Sequence, residues 1–480
     1  MNIFEKIASA FAPKKEAQTL PVAGYEGAQN FTYDRSFLYK TGHDEETQVT
    51  YARAELLETT RYLIKNSPIL EKIRLTVENY SVGPGISVQA NSSDKEFNKT
   101  LTKQFDNWCR SPLSSHLNDL TFYEIQRLVA SELIIAGEVF LVLMKSSKGW
   151  PELQIVKSER VKSTGKKSDK SVDGLFLDGD GRVVAYQIFF GKKPTTVQAQ
   201  DVIHIKRVTE PGQLRGISTF ASALNALRDH KDLVLLEKKA LKAHSVFAAA
   251  VKKKSGGDVG DGTFGAATRN NTKRAGTRAQ ANPALERIVG GGQVAYLAEG
   301  EELQLMASSR TNDAYQGFLN FLELLAREVC LTSGLPYDFV VNPNQTGPGM
   351  RFIISDAAAV FEAIQLLITD RLIARVFPWV AASLMKRGDI TLTPPNDWYL
   401  HSCTLPESIT IDQGRRDAAD LNFLNAGLTT YDEFYSARGK NWEAQLSQRI
   451  NEQEWIIKEC EKRNIPPQIF IKELPTNETN

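Results

Sequence analysis

Cysteine is scarce in this chain: Cys109, Cys330, Cys403 and Cys460 are the only four in 480 residues, far apart and with no C-x-x-C spacing. That excludes a disulfide framework and a cysteine-ligated zinc site, and it suits a reducing compartment. Net charge is nearly missing as well. Lys+Arg 58 against Asp+Glu 57 leaves +1, which removes the bulk electrostatics of a histone-like nucleic-acid coat but not a local basic stripe. Long apolar runs are lacking too. The run Leu128 to Met144 is broken by Ser131, Glu132, Gly137 and Glu138, so no stretch reaches the roughly 18 apolar residues of a membrane span. Catalytic signatures are also missing. Gly165-Lys-Lys and Gly191-Lys-Lys lack the upstream glycine and the Ser/Thr of a phosphate loop. There is no H-E-x-x-H, no G-x-S-x-G elbow and no kinase H-R-D set, and the six histidines show no metal-ligand spacing. No cofactor, no metal and no catalytic residue are expected.

What is present is an ordinary folded composition, 42% hydrophobic and 24% charged, which excludes a wholly disordered or collagen-like chain. At roughly 150 residues per domain, the length predicts about three structural units. The N-terminus, MNIFEKIASAFAPKK, sets Ile3, Phe4, Ile7, Ala8 and Phe11 on one helical face, but Glu5 and Lys6 interrupt the apolar core of any signal peptide. We read it as a short amphipathic docking helix or a mobile arm, not a membrane anchor, followed by an extended arm to residue 50.

The apolar period predicts a helix from near Tyr51 through Leu56, Leu57, Thr60, Leu63 and Ile64, interrupted at Asn66-Ser-Pro68 and resumed over Ile69–Tyr80 until Gly83-Pro-Gly85. Helices follow at Asp94–Cys109 and Thr121–Ile135. The period then shortens, and strands are predicted at Val139–Met144, Leu153–Lys157, Gly174–Leu177, Arg182–Phe189 and Asp201–Lys206, an α+β block. Within it, Asp178-Gly-Asp-Gly181 is a hairpin turn and not a calcium loop, since the twelfth position of an EF-hand would fall on Phe189.

Beyond Pro211–Gly216, Ser218 is placed to cap a long helix running to about Val251. Taking Arg228 as 0°, Lys231, Lys238, Lys239 and Lys242 fall at about 300°, 280°, 20° and 320°, so the five cations share an arc of about 100°. Such a stripe suits duplex DNA, whose phosphates bind Lys and Arg without sequence information; an ordinary solvated face is the other reading. Lys252 to Gly292 is Gly-rich and low in complexity, with eight basic residues (Lys252, Lys253, Lys254, Arg269, Lys273, Arg274, Arg278, Arg287) against three acidic. Short strands at Val294–Leu297 and Leu303–Leu305 close it. Helices are predicted at Asn312–Ser333 and Arg351–Lys386, the second kinked at Pro378, with a return strand at Leu392–Trp398 and a polar helical region over Ile411–Ile471.

The order of these parts resembles the lambda family of phage portal proteins over about residues 50 to 465. The carriers are Arg61-Tyr-Leu-Ile-Lys-Asn-Ser-Pro68 leading to Val82-Gly-Pro-Gly-Ile86, Ser131-Glu-Leu-Ile-Ile-Ala-Gly-Glu-Val-Phe140, Gly181–Tyr186, Asp201–His204, Pro211-Gly-Gln-Leu-Arg-Gly-Ile217 and Ser333-Gly-Leu-Pro-Tyr337, with Ala426–Thr430 and Ala437–Gly439 near the end. Pro211–Ile217 is the most specific of them. One departure stands at Gly347–Ser355, where relatives usually carry a Tyr-Ser-Ser-x-Arg-like stretch.

The resemblance implies a portal fold: an N-terminal arm (1–50), an α+β wing (51–216), stem helices (217–251 and 311–333), a clip (252–310), a tunnel loop and kinked helix (334–386), a return to the wing (387–404) and a helical crown with tail (405–480). It implies a ring, typically of about twelve copies closed by head-to-tail contacts, at one capsid vertex, through which double-stranded DNA is packaged and ejected. Its other implied partners are the terminase large subunit, a head-tail adaptor, and the major capsid and scaffold proteins; no membrane is expected. The virion, and the host cytoplasm during assembly, are the implied locations. The residues expected to matter are Arg228, Lys231, Lys238 and Lys242 on the stem; Asn342, Asn344, Gln345 and Arg351 in the tunnel; and Lys252, Lys253, Lys254, Arg269, Lys273, Arg274 and Arg278 on the clip. Two readings of other classes stand beside it: a metal-dependent nucleic-acid-processing enzyme without a recognisable motif, and a membrane-associated pore using the N-terminal helix.

Overall fold

A computed structural model describes residues 45–164, 171–252, 286–287, 293–297, 312–341, 347–407, 409, 413–436, 438, 442–463 and 465–466. It separates into two units. One comprises the described residues up to Asn225 and from Arg327 onward, and the other is Ala226–Ala326.

In the first unit, α1 (Glu45–Asn66) runs to Ser67, and Pro68 opens α2 (Pro68–Val77) at the position where its missing N–H is harmless. A π-helical turn (Glu78–Val82) carries the chain to Gly83, whose φ of 54° closes the helix. Asp94 caps α3 (Lys95–Arg110) by accepting from the amides of Glu96 and Phe97 at 2.9 and 3.1 Å. Thr121 and Glu124 form a reciprocal capping box at the start of α4 (Phe122–Ile135). These boundaries fall within a residue or two of the sequence expectation except the first, which begins six residues earlier.

Seven of the strands form two small antiparallel sheets. β2 (Glu138–Lys145) lies between β3 (Pro151–Val156) and β8 (Val202–Lys206). The other sheet runs in the order β4 (Ser171–Val172), β5 (Leu175–Leu177), β6 (Val183–Ile188), β7 (Thr195–Gln198); β4 and β7 are too short and polar to have been read from periodicity. Phe140, Val142 and Val202 of the first sheet pack with Leu175, Tyr186 and Ile188 of the second in one buried cluster. The Asp178 turn closes β5 onto β6, its carboxylate accepting from the amides of Asp180 and Arg182.

Beyond Arg327, α8 (Pro348–Leu367) continues through a π-helical turn (Ile368–Ile373) into α9 (Ala374–Arg387), with Pro378 inside α9. The expected single kink is therefore shared between a proline and a π turn just upstream of it, the second of the ordinary ways to bend a helix. Phe377 packs on Phe105 with ring centroids 5.0 Å apart, and Arg375 donates to the carbonyls of Val202 and Gln200 at 2.9 and 2.8 Å. An 18-residue window within Gly349–Arg387 has a mean hydropathy of 1.7 and is 28% buried, long and apolar enough to cross a membrane by length and composition. Counting each charge as a break hid this, because Asp356 and Glu362 are outweighed by the Ile, Phe and Leu around them.

The return strand differs from its expectation. Leu392–Trp398 is irregular, and the strand is β12 (His401–Thr404), paired antiparallel with β1 (Ser87–Ala90). Pro394 and Pro395 have no N–H to donate to a ladder, so pairing starts only beyond them. The C-terminal region is helical, as α10 (Gln413–Asn425), α11 (Tyr431–Ser436) and α12 (Trp442–Arg463).

In the second unit, α5 (Leu224–Val246) leads to β9 (Phe247–Lys252), which pairs parallel with β11 (Gln293–Leu297); β10 (Glu286–Arg287) pairs antiparallel with β11. The long helix is thus shorter than expected at both ends. Ser218 is not its cap: the hydroxyl accepts from the Phe220 amide ahead of a 3-10 turn at Ala221–Ala223 that has no side-chain cap, and the segment after Val246 is strand. At about 1.5 Å per residue its 23 residues span ~35 Å, against the ~50 Å of a helix running from Ser218 to Val251. Helix α6 spans Asn312–Ser333 as predicted, and Gly334 ends it at a φ of 75°, ahead of the one-turn α7 (Tyr337–Val340). The expected strand at Leu303–Leu305 lies outside the described residues.

Candidate functional site

Two of the motifs that carry the resemblance, Ser131–Phe140 and Pro211–Ile217, meet at one point. Gly137 ends the Ser131–Phe140 motif's helix at a φ of 73°, and a Cβ there would strike the backbone of Ile217. A Cβ on Gly216 would likewise strike the Gly137 carbonyl and lie 2.6 Å from Glu138 Cβ. Two glycines therefore let two backbones touch, and that contact aims Glu138 at the Arg215 guanidinium.

Glu138 and Arg215 are both fully buried. Arg215 Nη2 donates to Glu138 Oε1 at 2.6 Å and its Nε reaches both carboxylate oxygens at 3.0 and 3.1 Å. The Gly216 amide adds a bond to Oε2 at 2.7 Å, and the Ser158 hydroxyl one to Oε1 at 2.5 Å. Arg215 Nη1 donates to the carbonyls of Val161, at 3.1 Å, and Asp173. Arg53 of α1 completes the cluster, its Nη2 2.5 Å from Asp173 Oδ2 and its Nη1 donating to Ser158 Oγ at 2.9 Å. Two guanidinium groups thus balance two carboxylates.

His204 on β8 stacks on Phe140 with centroids 4.2 Å apart and places Nε2 3.1 Å from Glu138 Oε2 and Nδ1 3.5 Å from the Tyr186 hydroxyl. Burial lowers its pKa, outweighing the pull of Glu138. A neutral ring satisfies both contacts, with Nε2–H donating to the carboxylate and Nδ1 accepting from Tyr186. Burial alone would raise the Glu138 carboxyl, but Arg215 and His204 hold it well below the ordinary carboxylate range. Both oxygens of Glu138 are saturated with donors and neither meets solvent, so this is a clamp and not an acid–base site. It ties α1, β2, β8, the Ser158 turn, the β4–β5 hairpin and the 211–217 loop together, at the point where the chain enters α5.

The expected site residues distribute differently. On α5, Arg228 is half-buried while Lys231, Lys238 and Lys242 are exposed. Leu235, at about 340° on the same wheel, lies inside the basic arc and is 47% exposed; the stripe is cationic with an apolar centre, which counting charges alone missed. Arg351 is exposed in the first turns of α8. Lys252 ends β9, and Lys253, Lys254, Arg269, Lys273, Arg274, Arg278, Asn342, Asn344 and Gln345 lie outside the described residues. Among the described residues, no group of three or more His, Cys, Asp or Glu side chains is placed to hold a metal ion.

In solved structures, the chain is similar to the neck of an empty GTA particle computed with C6 symmetry (15% identity, covering 77% of this chain and 90% of that one, TM-score 0.47). It is similar to the neck of the native GTA particle computed with C12 symmetry (15% identity, 78% and 91% covered, TM-score 0.45). It is also similar to an HK97 family phage portal protein from Corynebacterium diphtheriae (11% identity, 65% and 90% covered, TM-score 0.35). No curated protein matches it in sequence. A sequence model described as phage portal protein, lambda family, matches residues 37–343. That span holds both halves of the Glu138–Arg215 clamp, all of α5 and α6, and the Ser333–Tyr337 motif, and with it the chain belongs to the lambda family of phage portal proteins.

Proposed function

We propose that copies of this chain close head-to-tail into a ring of about twelve subunits at one capsid vertex. Double-stranded DNA passes through its centre during packaging and ejection, and the chain acts as a conduit and docking platform, not as an enzyme. In this reading residues 51–216 form the wing, 217–251 and 311–333 the stem, 252–310 the clip that meets the terminase large subunit and later the head-tail adaptor, 334–386 the tunnel segment and 405–480 the crown. Scaffold and major capsid proteins meet the ring during assembly in the host cytoplasm, and the mature location is the portal vertex of the virion.

The observation that carries this is the family match across residues 37–343. It is supported by large apolar side chains that a single subunit leaves uncovered. Phe321 and Leu331 on α6 and Phe352 and Leu366 on α8 are exposed, Leu331 and Phe352 by more than 70%, and such surface calls for a partner. Subunit neighbours in a ring would cover it. Arg228, Lys231, Lys238 and Lys242 would face the channel or the adjoining stem helix, and Asn342, Asn344, Gln345 and Arg351 would lie near its narrowest part, where amides give DNA few strong phosphate clamps.

The test is native mass spectrometry of the purified full chain with negative-stain images of the same sample. A closed ring with a central hole supports the reading, and a monomer or dimer at every concentration, with or without scaffold, overturns it. Replacing Lys231, Lys238 and Lys242 with Gln together then separates roles: intact rings with impaired packaging place the stripe in the channel, and unchanged packaging makes it a solvated face.

A further inference from the structure

A cleft of about 500 Å³ opens within the first unit. Its walls come from β8 and the loop after it, which supply His204, Lys206, Arg207 and Thr209, and from the α8 end and π turn, which supply Leu367 and Arg371. Three of these six are cations at neutral pH, and no Asp or Glu is among the lining residues; the acidic sequence neighbours Glu210 and Asp370 are not in the wall.

Two of the cations donate to neutral oxygens. Lys206 Nζ donates to the carbonyls of Gln213 and Leu214, at 2.5 and 3.0 Å. Arg207 Nη1 donates to the Thr219 hydroxyl at 2.5 Å. Burial lowers the Arg207 pKa with no carboxylate offsetting it, so this guanidinium is partly desolvated without a counter-charge. Arg371 stands exposed on the opposite wall. Two guanidinium forks on different walls of a small cavity suit an oxyanion with several acceptor oxygens, which can take a fork from each side. Leu367 gives the cleft an apolar side that would take the carbon skeleton next to the charge.

We propose that this cleft, between β8 and the helical segment at the end of α8, is a phosphate-binding site taking the oxyanions of a phosphate ester or phosphodiester. The backbone of packaged or wrapped DNA and a free phosphate compound share that chemistry, and the two arms of the test separate them.

In the first arm, tripolyphosphate is titrated into the full-length protein by calorimetry. In the second, a short labelled DNA duplex is titrated by fluorescence anisotropy. Both use the wild type, Arg371→Gln and Arg207→Gln/Arg371→Gln. The expected result is that tripolyphosphate affinity falls about tenfold in Arg371→Gln, as for loss of one charge-assisted contact, and further in the double variant. A parallel fall in duplex affinity makes DNA the source, and an unchanged duplex affinity makes it a free phosphate compound. The proposal is overturned if the wild type does not bind tripolyphosphate, or if Arg371→Gln binds it as tightly as the wild type. Arg371 is exposed, so that single variant decides even where the double variant fails to fold. Ring formation is read on the same samples by native mass spectrometry, so a failed ring and a failed site are separate results.

Discussion

Arg215 and Glu138 stand 77 residues apart in the chain and meet in the core with both side chains at 0% exposure. Removing one partner leaves the other charged, buried and uncompensated, which costs about 3–5 kcal/mol. Arg215→Met and Glu138→Gln are each expected to lose stability on that scale in urea unfolding of the full chain. The double variant is expected to lose clearly less than the two singles together, because neither orphan charge remains. Additive losses would show that the pair is not coupled.

The glycines that permit this contact are expected to be far less tolerant than glycines in turns. Gly137→Ala adds a Cβ against the Ile217 backbone at a φ of 73°, and Gly216→Ala adds one against the Gly137 carbonyl. Each should lose more than about 2 kcal/mol, the range of strain and core overpacking. Gly179→Ala meets nothing within 4 Å and has no positive φ, so its urea midpoint should match the wild type.

Acid should weaken the first unit in a defined direction. His204 titrates ordinarily near 6.5 and its folded pKa is lower, so the unfolded chain takes up the proton first. The stability it contributes is complete above about 6.5 and is lost as pH falls through that value toward the folded pKa. Glu138, held well below its ordinary 4.5, adds a loss of the same sign at still lower pH. Between about pH 7.5 and 5 the unfolding free energy should fall by up to ~1.4 kcal/mol per unit for this one proton. His204→Gln, whose amide still reaches Glu138, should flatten that slope; an unchanged slope would remove His204 from the account.

Ser81 offers the opposite sign. Among the described residues its Oγ is buried without a hydrogen-bond partner, inside the π-helical turn. Ser81→Ala deletes an unsatisfied hydroxyl and should raise stability by about 1 kcal/mol, measured as a higher urea midpoint at constant slope.

What the sequence determined by itself is whatever short-range physics controls. Asp94 and Thr121 mark helix starts because a side-chain oxygen caps amides two or three residues on, and Asp178-Gly-Asp-Gly181 closes a hairpin within its own four residues. The short unbroken apolar run Val139–Met144 marks a buried strand wherever its neighbours lie. The order of such local signals also carried the family resemblance.

Tertiary structure alone decided the rest. Arg215 reads as a surface loop cation until β2, β8 and the 211–217 loop are set side by side, because burying a charge depends on a carboxylate 77 residues away. The helix ending at Val246 gives way to strand only because β11 supplies a partner ladder for Phe247–Lys252, whose alanines favour a helix on propensity. The cations of the cleft come from β8 and from the helical segment after α8, brought together across more than 150 residues of sequence by the packing of α9 on the sheet. No periodicity reports such a meeting, since each chain segment carries only its own half of the field.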